Sequence, residues 1–297
     1  GLPLDRFLRH PDFAEAIKRA GKEGKLATLD YTRMDQIRRN FSLRLAPFDE
    51  GYVLLVIFDG TMMQSVERIR SDFVANVSHE LRSPLGALSG FIETLIDGAV
   101  EEPESRAHFL SIMKTEAARM QRLIDDLLSL SQVEAEEHRA PQDEIDLNLL
   151  LNETVSVIGA SAKQDAGKLT VTVCAPDNAD ELRVFGDADE LRQVFQNLLE
   201  NALRYGDTDA DIEIIVDGGR TESGQPRPDL LRVQVINQGP TIAHEHLERL
   251  NKRFYRIDSG RSRQIGSTGL DLAIVKHIIN RHRGRLRLSS SSGKTSA

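Results

Sequence analysis

Hydrophobic spacing divides the chain into three stretches with different periods. Up to Gly60 the pattern is short and mixed, with a polar helical stretch from Asp12 to Lys22 and two strand-like runs, Asn40 to Ala46 and Tyr52 to Phe58, joined by the turn Pro47-Phe-Asp-Glu-Gly51. Runs bounded by Pro and Gly predict paired strands. From Met62 the spacing lengthens to threes and fours. Met62, Val66, Ile69, Phe73, Val77, Leu81, Leu85, Leu88, Ile92 and Leu95 trace one buried stripe on a single long helix. A second stripe, Phe109, Met113, Ala117, Met120, Ile124 and Leu127, follows a short connection from Gly98 to Pro103, which predicts an antiparallel helix pair. Two helices cannot cover both stripes, so pairing with a second copy into a four-helix bundle is the expected solution.

After Pro141 helices and strands mix: helix Leu147 to Ala162, strand Lys168 to Cys174, helix Asp189 to Arg204, strands Asp211 to Val216 and Leu231 to Ile236, and helix Leu270 to Arg281. The absence of a regular βαβ rhythm predicts an α/β sandwich, with helices on one face of a mixed sheet. Expected domains are therefore 1–60, 61–140 and 141–297.

Composition narrows the class. With 297 residues, 40% apolar and 28% charged, the chain can build several cores and is not a disordered tail. A net charge of -8 argues against a general nucleic-acid binder. The run Arg281, Arg283, Arg285, Arg287 reads as a solvated helix end entering a strand. The single cysteine, Cys174, excludes an internal disulfide framework and reads as a small buried hydrophobe on a strand. The longest apolar stretch, Val53 to Phe58, is far short of the roughly 18 residues of a membrane helix. The chain opens at Gly1, so a cytoplasmic fragment is expected, with any membrane segment lying upstream.

The chemistry begins at His79. It stands two residues from Val77 and two from Leu81, and about 100° per residue carries it to the face opposite the stripe. An exposed neutral imidazole keeps a nucleophilic lone pair near neutral pH. Glu80 can accept a proton from Nδ1, Ser83 follows one turn along, and Pro84 removes a backbone donor. A His-Glu-x-x-His zinc site is excluded, because Ser83 stands where the second histidine would be. Farther on, Leu191, Phe195, Leu198 and Ala202 share one helix face while Asn197, Asn201 and Arg204 share the other. An Asn oxygen can ligate Mg²⁺, and Arg204 can neutralise phosphate. The glycines of Gln264-Ile-Gly-Ser-Thr-Gly-Leu-Asp-Leu272 precede a helix N-terminus, a favourable place for phosphate.

Phe73-Val-Ala-Asn-Val-Ser-His-Glu-Leu-Arg-Ser-Pro-Leu85 resembles the H-box of two-component sensor histidine kinases, in particular the phosphate-regulon sensor type. The resemblance implies a dimeric helical hairpin followed by a GHKL-type α/β sandwich that binds ATP and Mg²⁺. It also implies autophosphorylation at His79 with Glu80 as base, and a Ser83 hydroxyl that positions water when a response-regulator receiver domain is dephosphorylated. Leu191 to Tyr205 is similar to the family's N-box, which makes Asn197, Asn201, Arg204 and Tyr205 nucleotide-site residues and Asn201 the metal ligand. Asn237 and Gly239 stand in the adenine-reading motif, where Asn237 replaces an acid and Thr241 a glycine. Gly266, Thr268, Gly269 and Leu270 stand in the phosphate motif, where Ser267 and Asp271 replace glycines. Lys252-Arg-Phe-Tyr-Arg256 matches the aromatic motif beside the lid. Residues 1–60 resemble the C-terminal half of a PAS sensor domain, closing at Asp59-Gly-Thr61.

The departures set further expectations. Asn237 can still accept a hydrogen bond from adenine. Asp271, placed about 4 Å from a phosphate, would cost roughly 4 kcal/mol unless a cation intervenes or the side chain turns away as an early-turn helix acid. Gly284 to Leu288 is expected as a short last strand, and the polar tail after it lacks a closing hydrophobic strand. Two alternatives follow: a kinase-impaired, phosphatase-biased or scaffolding homologue, and a gyrase- or chaperone-type ATPase, which the H-box disfavours.

Overall fold

The computed structural model describes residues 12–34, 38–48, 52–165, 171–174, 182–207, 210–220, 226–257 and 267–297. The chain forms two compact units, Gly1–Arg82 and Ser83–Ala297. In the first, helix α1 (Phe13–Glu23) covers an antiparallel sheet ordered β1 (Ala27–Met34), β2 (Arg38–Pro47), β3 (Val53–Asp59). Phe13, Ala16 and Ala20, spaced by threes and fours, meet Leu43 and Leu45, which alternate on β2. β1 is an addition to the expected elements. Its partly buried Ala27, Leu29 and Tyr31 alternate with Thr28, Asp30 and Thr32, a weak apolar signal that pairing with β2 turns into a strand. The tip of the expected turn, residues 49–51, lies outside the described residues.

Helix α2 (Thr61–Ile96) starts where the sheet ends. Asp59 accepts from the Thr61 backbone N–H at 3.0 Å, and the Thr61 hydroxyl accepts from the Asn40 N–H at 2.9 Å, tying the helix start to β2 and β3. Hydrogen bonding from the Thr61 hydroxyl, and then from its backbone N–H, holds the Asp59 carboxyl below the usual carboxylate range. Pro84 sits inside α2 without ending it.

In the second unit a turn at Ala99–Glu101 leads to α3 (Pro103–Glu136), and Phe91 and Phe109 pack with ring centroids 5.6 Å apart. The stripe expected on α3 holds only in part. Ile124 is 40% exposed, and the face buried in the C-terminal half is Leu123, Leu130 and Val133. The helix turns that face to the next domain rather than to α2.

That domain has a mixed sheet ordered β5 (Val171–Cys174), β7 (Ile212–Arg220), β8 (Pro226–Gln238), β10 (Lys294–Ser296), β9 (Ser289–Ser291), with only β5 and β7 parallel. A separate pair, β4 (Asp143–Asp146) and β6 (Arg183–Gly186), was not expected because each is only four residues long and β4 is mostly charged. Helices α4 (Leu147–Asp165) and α5 (Ala188–Tyr205) pack on the sheet. A short α6 (His244–Leu247) precedes α7 (Asp271–Arg281), which packs on both α5 and α3. Ile212, Ile214 and Val216 alternate into the core beneath Leu191, Val194, Phe195, Leu198 and Leu199 of α5 and Ile274, Val275 and Ile278 of α7.

The tail corrects one expectation. Gly284 to Leu288 is not a strand, and the polar end supplies the closing hairpin itself. Ser292 (φ 51°) and Gly293 (φ 75°) give the left-handed pair that a tight hairpin turn needs, and Thr295 pairs with Asn237 of β8. Backbone pairing and short hydroxyl bonds, Gly293 N–H to Thr241 Oγ1 at 3.0 Å and Ile242 N–H to Ser290 Oγ at 2.9 Å, replace the missing apolar residues. Arg281 corrects another. It is buried, with its guanidinium held by Glu136, Glu190 and, at 3.1 Å, the Arg139 carbonyl. Its charge is satisfied by carboxylates inside the fold instead of by water.

Ile274 is fully buried between α7 and α5. Ile274→Ala is expected to lower unfolding free energy by about 3 kcal/mol, whereas Leu149→Ala, at a position 60% exposed, should leave it nearly unchanged. Urea denaturation followed by circular dichroism measures both.

Candidate functional site

His79 is exposed on α2, with Val77 and Leu81 half-buried on either side; Glu80 is half-buried and Ser83 exposed. The rigid helix presents the ring to solvent, where an incoming electrophile can reach it.

The second group of residues gathers at the C-terminal part of α5. Asp187 caps this helix, its carboxylate accepting from the Asp189 and Glu190 N–H groups at 3.0 and 3.1 Å. The buried apolar face fixes the helix roll, so Asn197, Asn201 and Arg204 lie together, half-buried, on the other side. Asn201 donates through Nδ2 to the Asn197 carbonyl at 2.9 Å, and Asn197 donates to the Asp271 carbonyl at 3.4 Å. Arg204 lies 3.1 Å from Asp271 Oδ2 and 3.5 Å from Glu200 Oε2. Arg204 is thus engaged by two acids, and Asp271 is not the unpartnered carboxylate of the expected clash.

Thr268 and Leu270 are buried at the start of α7, and Gly269 takes a left-handed φ of 72°. A Cβ at Gly269 would stand 3.1 Å from the Phe254 backbone, and Phe254 N–H donates to the Gly269 carbonyl at 2.8 Å. The aromatic motif therefore clamps the glycine loop. Gly266 lies outside the described residues. Tyr205, Asn237 and Gly239 form a neighbouring cluster: a Cβ on Gly239 would meet the Tyr205 carbonyl at 3.0 Å, and one on Gly206 the Asn237 Nδ2 at 3.2 Å. Both clusters hang on the end of α5.

Asp126 of α3 is the residue that sequence reasoning missed. The Thr268 hydroxyl donates to its Oδ2 at 2.7 Å and lies 3.2 Å from Asp271 Oδ1. The available signal was an acid three residues after Leu123 and four before Leu130, on the face α3 buries. Along the same face Ser129 donates to Gln193 at 2.9 Å, Glu134 meets Arg253 and lies 3.4 Å from His277, and Glu137 lies 3.5 Å from His277. Burial pushes the Asp126 carboxyl up to about 6; the Thr268 bond opposes this, the Asp271 charge adds to it, Arg122 opposes it and Glu200 adds to it.

The His Kinase A (phospho-acceptor) domain family matches residues 69–136, and the histidine kinase-, DNA gyrase B-, and HSP90-like ATPase family matches residues 186–297. The phosphate regulon sensor protein PhoR of Pseudomonas aeruginosa is 35% identical over 299 residues, covering 100% of this chain and 63% of PhoR. The sensor protein kinase WalK of Staphylococcus aureus is 36% identical over 264 residues, covering 86% of this chain and 59% of WalK. The chain belongs to the sensor histidine kinases. It spans less than two thirds of the length of either curated relative. Among solved structures, the Acinetobacter baumannii histidine kinase AdeS shares the fold at a TM-score of 0.53 and 24% identity, over 73% of this chain and 94% of that one. Histidine kinase ThkA, in complex with the response regulator protein TrrA, shares it at 0.56 and 21%, over 100% of this chain and 84% of that one.

The domain matched by the ATPase family has a donor set that fits a magnesium-bound triphosphate. Asn201 uses its amide hydrogen on Asn197, which leaves its oxygen for a hard cation, and among the described residues no side chain caps the N-terminus of α7. Among the described residues no helix is long and apolar enough to cross a membrane.

The raised Asp126 pKa has a sign. Folding favours the protonated carboxyl, so its contribution is fully present below the ordinary 3.8 and is lost as pH rises through about 6. A shift of that size corresponds to about 3 kcal/mol. Relative to Asp126→Asn, the wild-type protein is expected to lose thermal stability between about pH 4 and pH 6 and to run parallel above pH 7. Calorimetric scans of both proteins across that window measure it; parallel curves throughout would remove the burial argument.

Proposed function

We propose that the chain is the cytoplasmic kinase portion of a two-component sensor, phosphorylating His79 from ATP and passing the phosphoryl group to an aspartate of a response-regulator receiver domain. The observation that carries this reading is an exposed His79 beside Glu80 on a rigid helix, in a chain whose second domain gathers Asn197, Asn201, Arg204 and Thr268 into one phosphate-suited cluster. A ring nitrogen of His79 attacks the γ-phosphorus as the bond to ADP breaks, and Glu80 takes the proton from Nδ1. Asn201 would hold Mg²⁺ and Tyr205, Asn237, Gly239, Gly266, Gly269 and Leu270 would line the nucleotide. Ser83 would position water for receiver dephosphorylation.

The same reading assigns residues 1–60 to a partial PAS-like sensor region, 61–140 to dimerisation and phosphotransfer, and 141–297 to ATP binding. Val66 at 57%, Ile69 at 55% and Leu85 at 51% exposure support homodimerisation, since a second copy would cover that stripe. The solved complex of ThkA with the response regulator protein TrrA supports a receiver-domain partner.

A second reading, kinase-impaired and phosphatase-biased, is favoured by one observation: Arg204 is held by Asp271, where the family has glycine. Phosphate must take Arg204 from that carboxylate, which weakens nucleotide binding without touching His79 or Ser83.

Incubation with γ-labelled ATP separates the readings. Acid-labile, base-stable label on the wild type that His79→Gln abolishes is the expected result; no label, with retained receiver dephosphorylation, favours the second. Asp271→Gly is expected to tighten ADP binding about tenfold by freeing Arg204. Calorimetric titration showing equal affinities would refute the competition.

A further inference from the structure

We propose that Asp126, on the hairpin's second helix, is a positioning residue for the nucleotide loop: it holds the Thr268 hydroxyl that the phosphates need, so hairpin docking and nucleotide occupancy oppose each other. The inference deepens the nucleotide reading above and rests on it. Thr268 is buried, and its hydroxyl carries a single hydrogen, committed at 2.7 Å to a carboxylate from another domain. The oxygen's acceptor side faces the Leu270 N–H at 3.3 Å, a bond within the loop itself. A phosphate oxygen seeking that hydroxyl must displace Asp126.

Charge acts in the same direction. The acids bearing on Asp126 are Asp271 of α7 and Glu200 of α5, and Arg122 is the cation bearing on it from α3. A phosphate entering beside Thr268 adds more negative charge to this group, and withdrawal of α3 relieves it. The docked arrangement is held by more than this bond, because Ser129, Glu134, Glu136 and Glu137 of the same helix or its end meet Gln193, Arg253, Arg281 and His277. Losing the Asp126 bond therefore loosens the loop without detaching the domain. Linkage is reciprocal: what docking takes from nucleotide affinity, nucleotide takes from docking.

The test is calorimetric titration of the whole chain with Mg·ADP and, separately, with adenosine. Asp126→Ala is expected to tighten ADP roughly fivefold, the worth of one net hydrogen bond, and to leave adenosine unchanged. In a Thr268→Val background the same substitution should change ADP affinity much less, because the shared hydroxyl is gone. ADP should also speed amide hydrogen exchange across α3 residues 123–133 in the wild type, a readout that needs no variant to fold. ADP affinity unchanged by Asp126→Ala, or exchange in α3 unchanged by ADP, overturns the latch while leaving nucleotide binding intact. No ADP binding by either protein overturns both the latch and the nucleotide reading.

Discussion

A threonine hydroxyl has one hydrogen, and two carboxylates stand close enough to Thr268 to accept it. Asp126 lies at 2.7 Å and Asp271 at 3.2 Å, and Asp271 is drawn in turn toward Arg204 at 3.1 Å. The chain Asp126, Thr268, Asp271, Arg204 therefore runs from the hairpin, through the glycine loop and the first turn of α7, to α5. Its parts depend on one another. The Arg204 pairing draws Asp271 away from Thr268's single proton, and the shorter bond leaves the hydroxyl to Asp126.

Replacing a glycine by Asp271 changes what the site does when no phosphate is near. A partly buried Arg204 needs anions to offset its desolvation, and Glu200 and Asp271 supply them. The acid at the first position of α7 is also favourable to the helix dipole. Asp271 is therefore accommodated by the fold, and under the proposed function it would compete with phosphate for Arg204. Under that reading, repulsion between Asp271 and a phosphate would be only half of the effect, because Arg204 is already paired with the carboxylate.

The helices were legible because each writes its own period. Asn197, Asn201 and Arg204 could be placed on one face of α5 by counting, and the exposure of His79 followed from the neighbours at 77 and 81. Features that depend on tertiary partners were not legible. β4 and β6 are four residues each, too short for a period to show, and only their mutual pairing makes them strands. The polar hairpin at the end becomes the edge of the sheet because Ser292 and Gly293 turn tightly, which an apolar-run criterion ignores. Arg281 reads as surface until Glu136 and Glu190 are brought against it by chain segments about 145 and 91 residues away. Asp126 is the clearest case. An acid inside an apolar helix stripe signals a partner, but the partner's identity lies 142 residues downstream.

The arrangement of α3 argues that its contacts form and break together. From Asp126 to Glu137 is about three helical turns, some 16 Å, and the Asp126, Ser129, Glu134, Glu136 and Glu137 contacts all lie on that rod beside Leu123, Leu130 and Val133. An α-helix with its hydrogen bonds intact does not bend to release one side chain at a time. A rotation by one residue's step, about 100°, would withdraw the aliphatic face and the polar contacts in a single motion. Because α3 is itself one arm of the hairpin, such a rotation would act directly on the Asp126 bond to Thr268. Under the proposed function, that rotation would also set whether the phosphate loop is free.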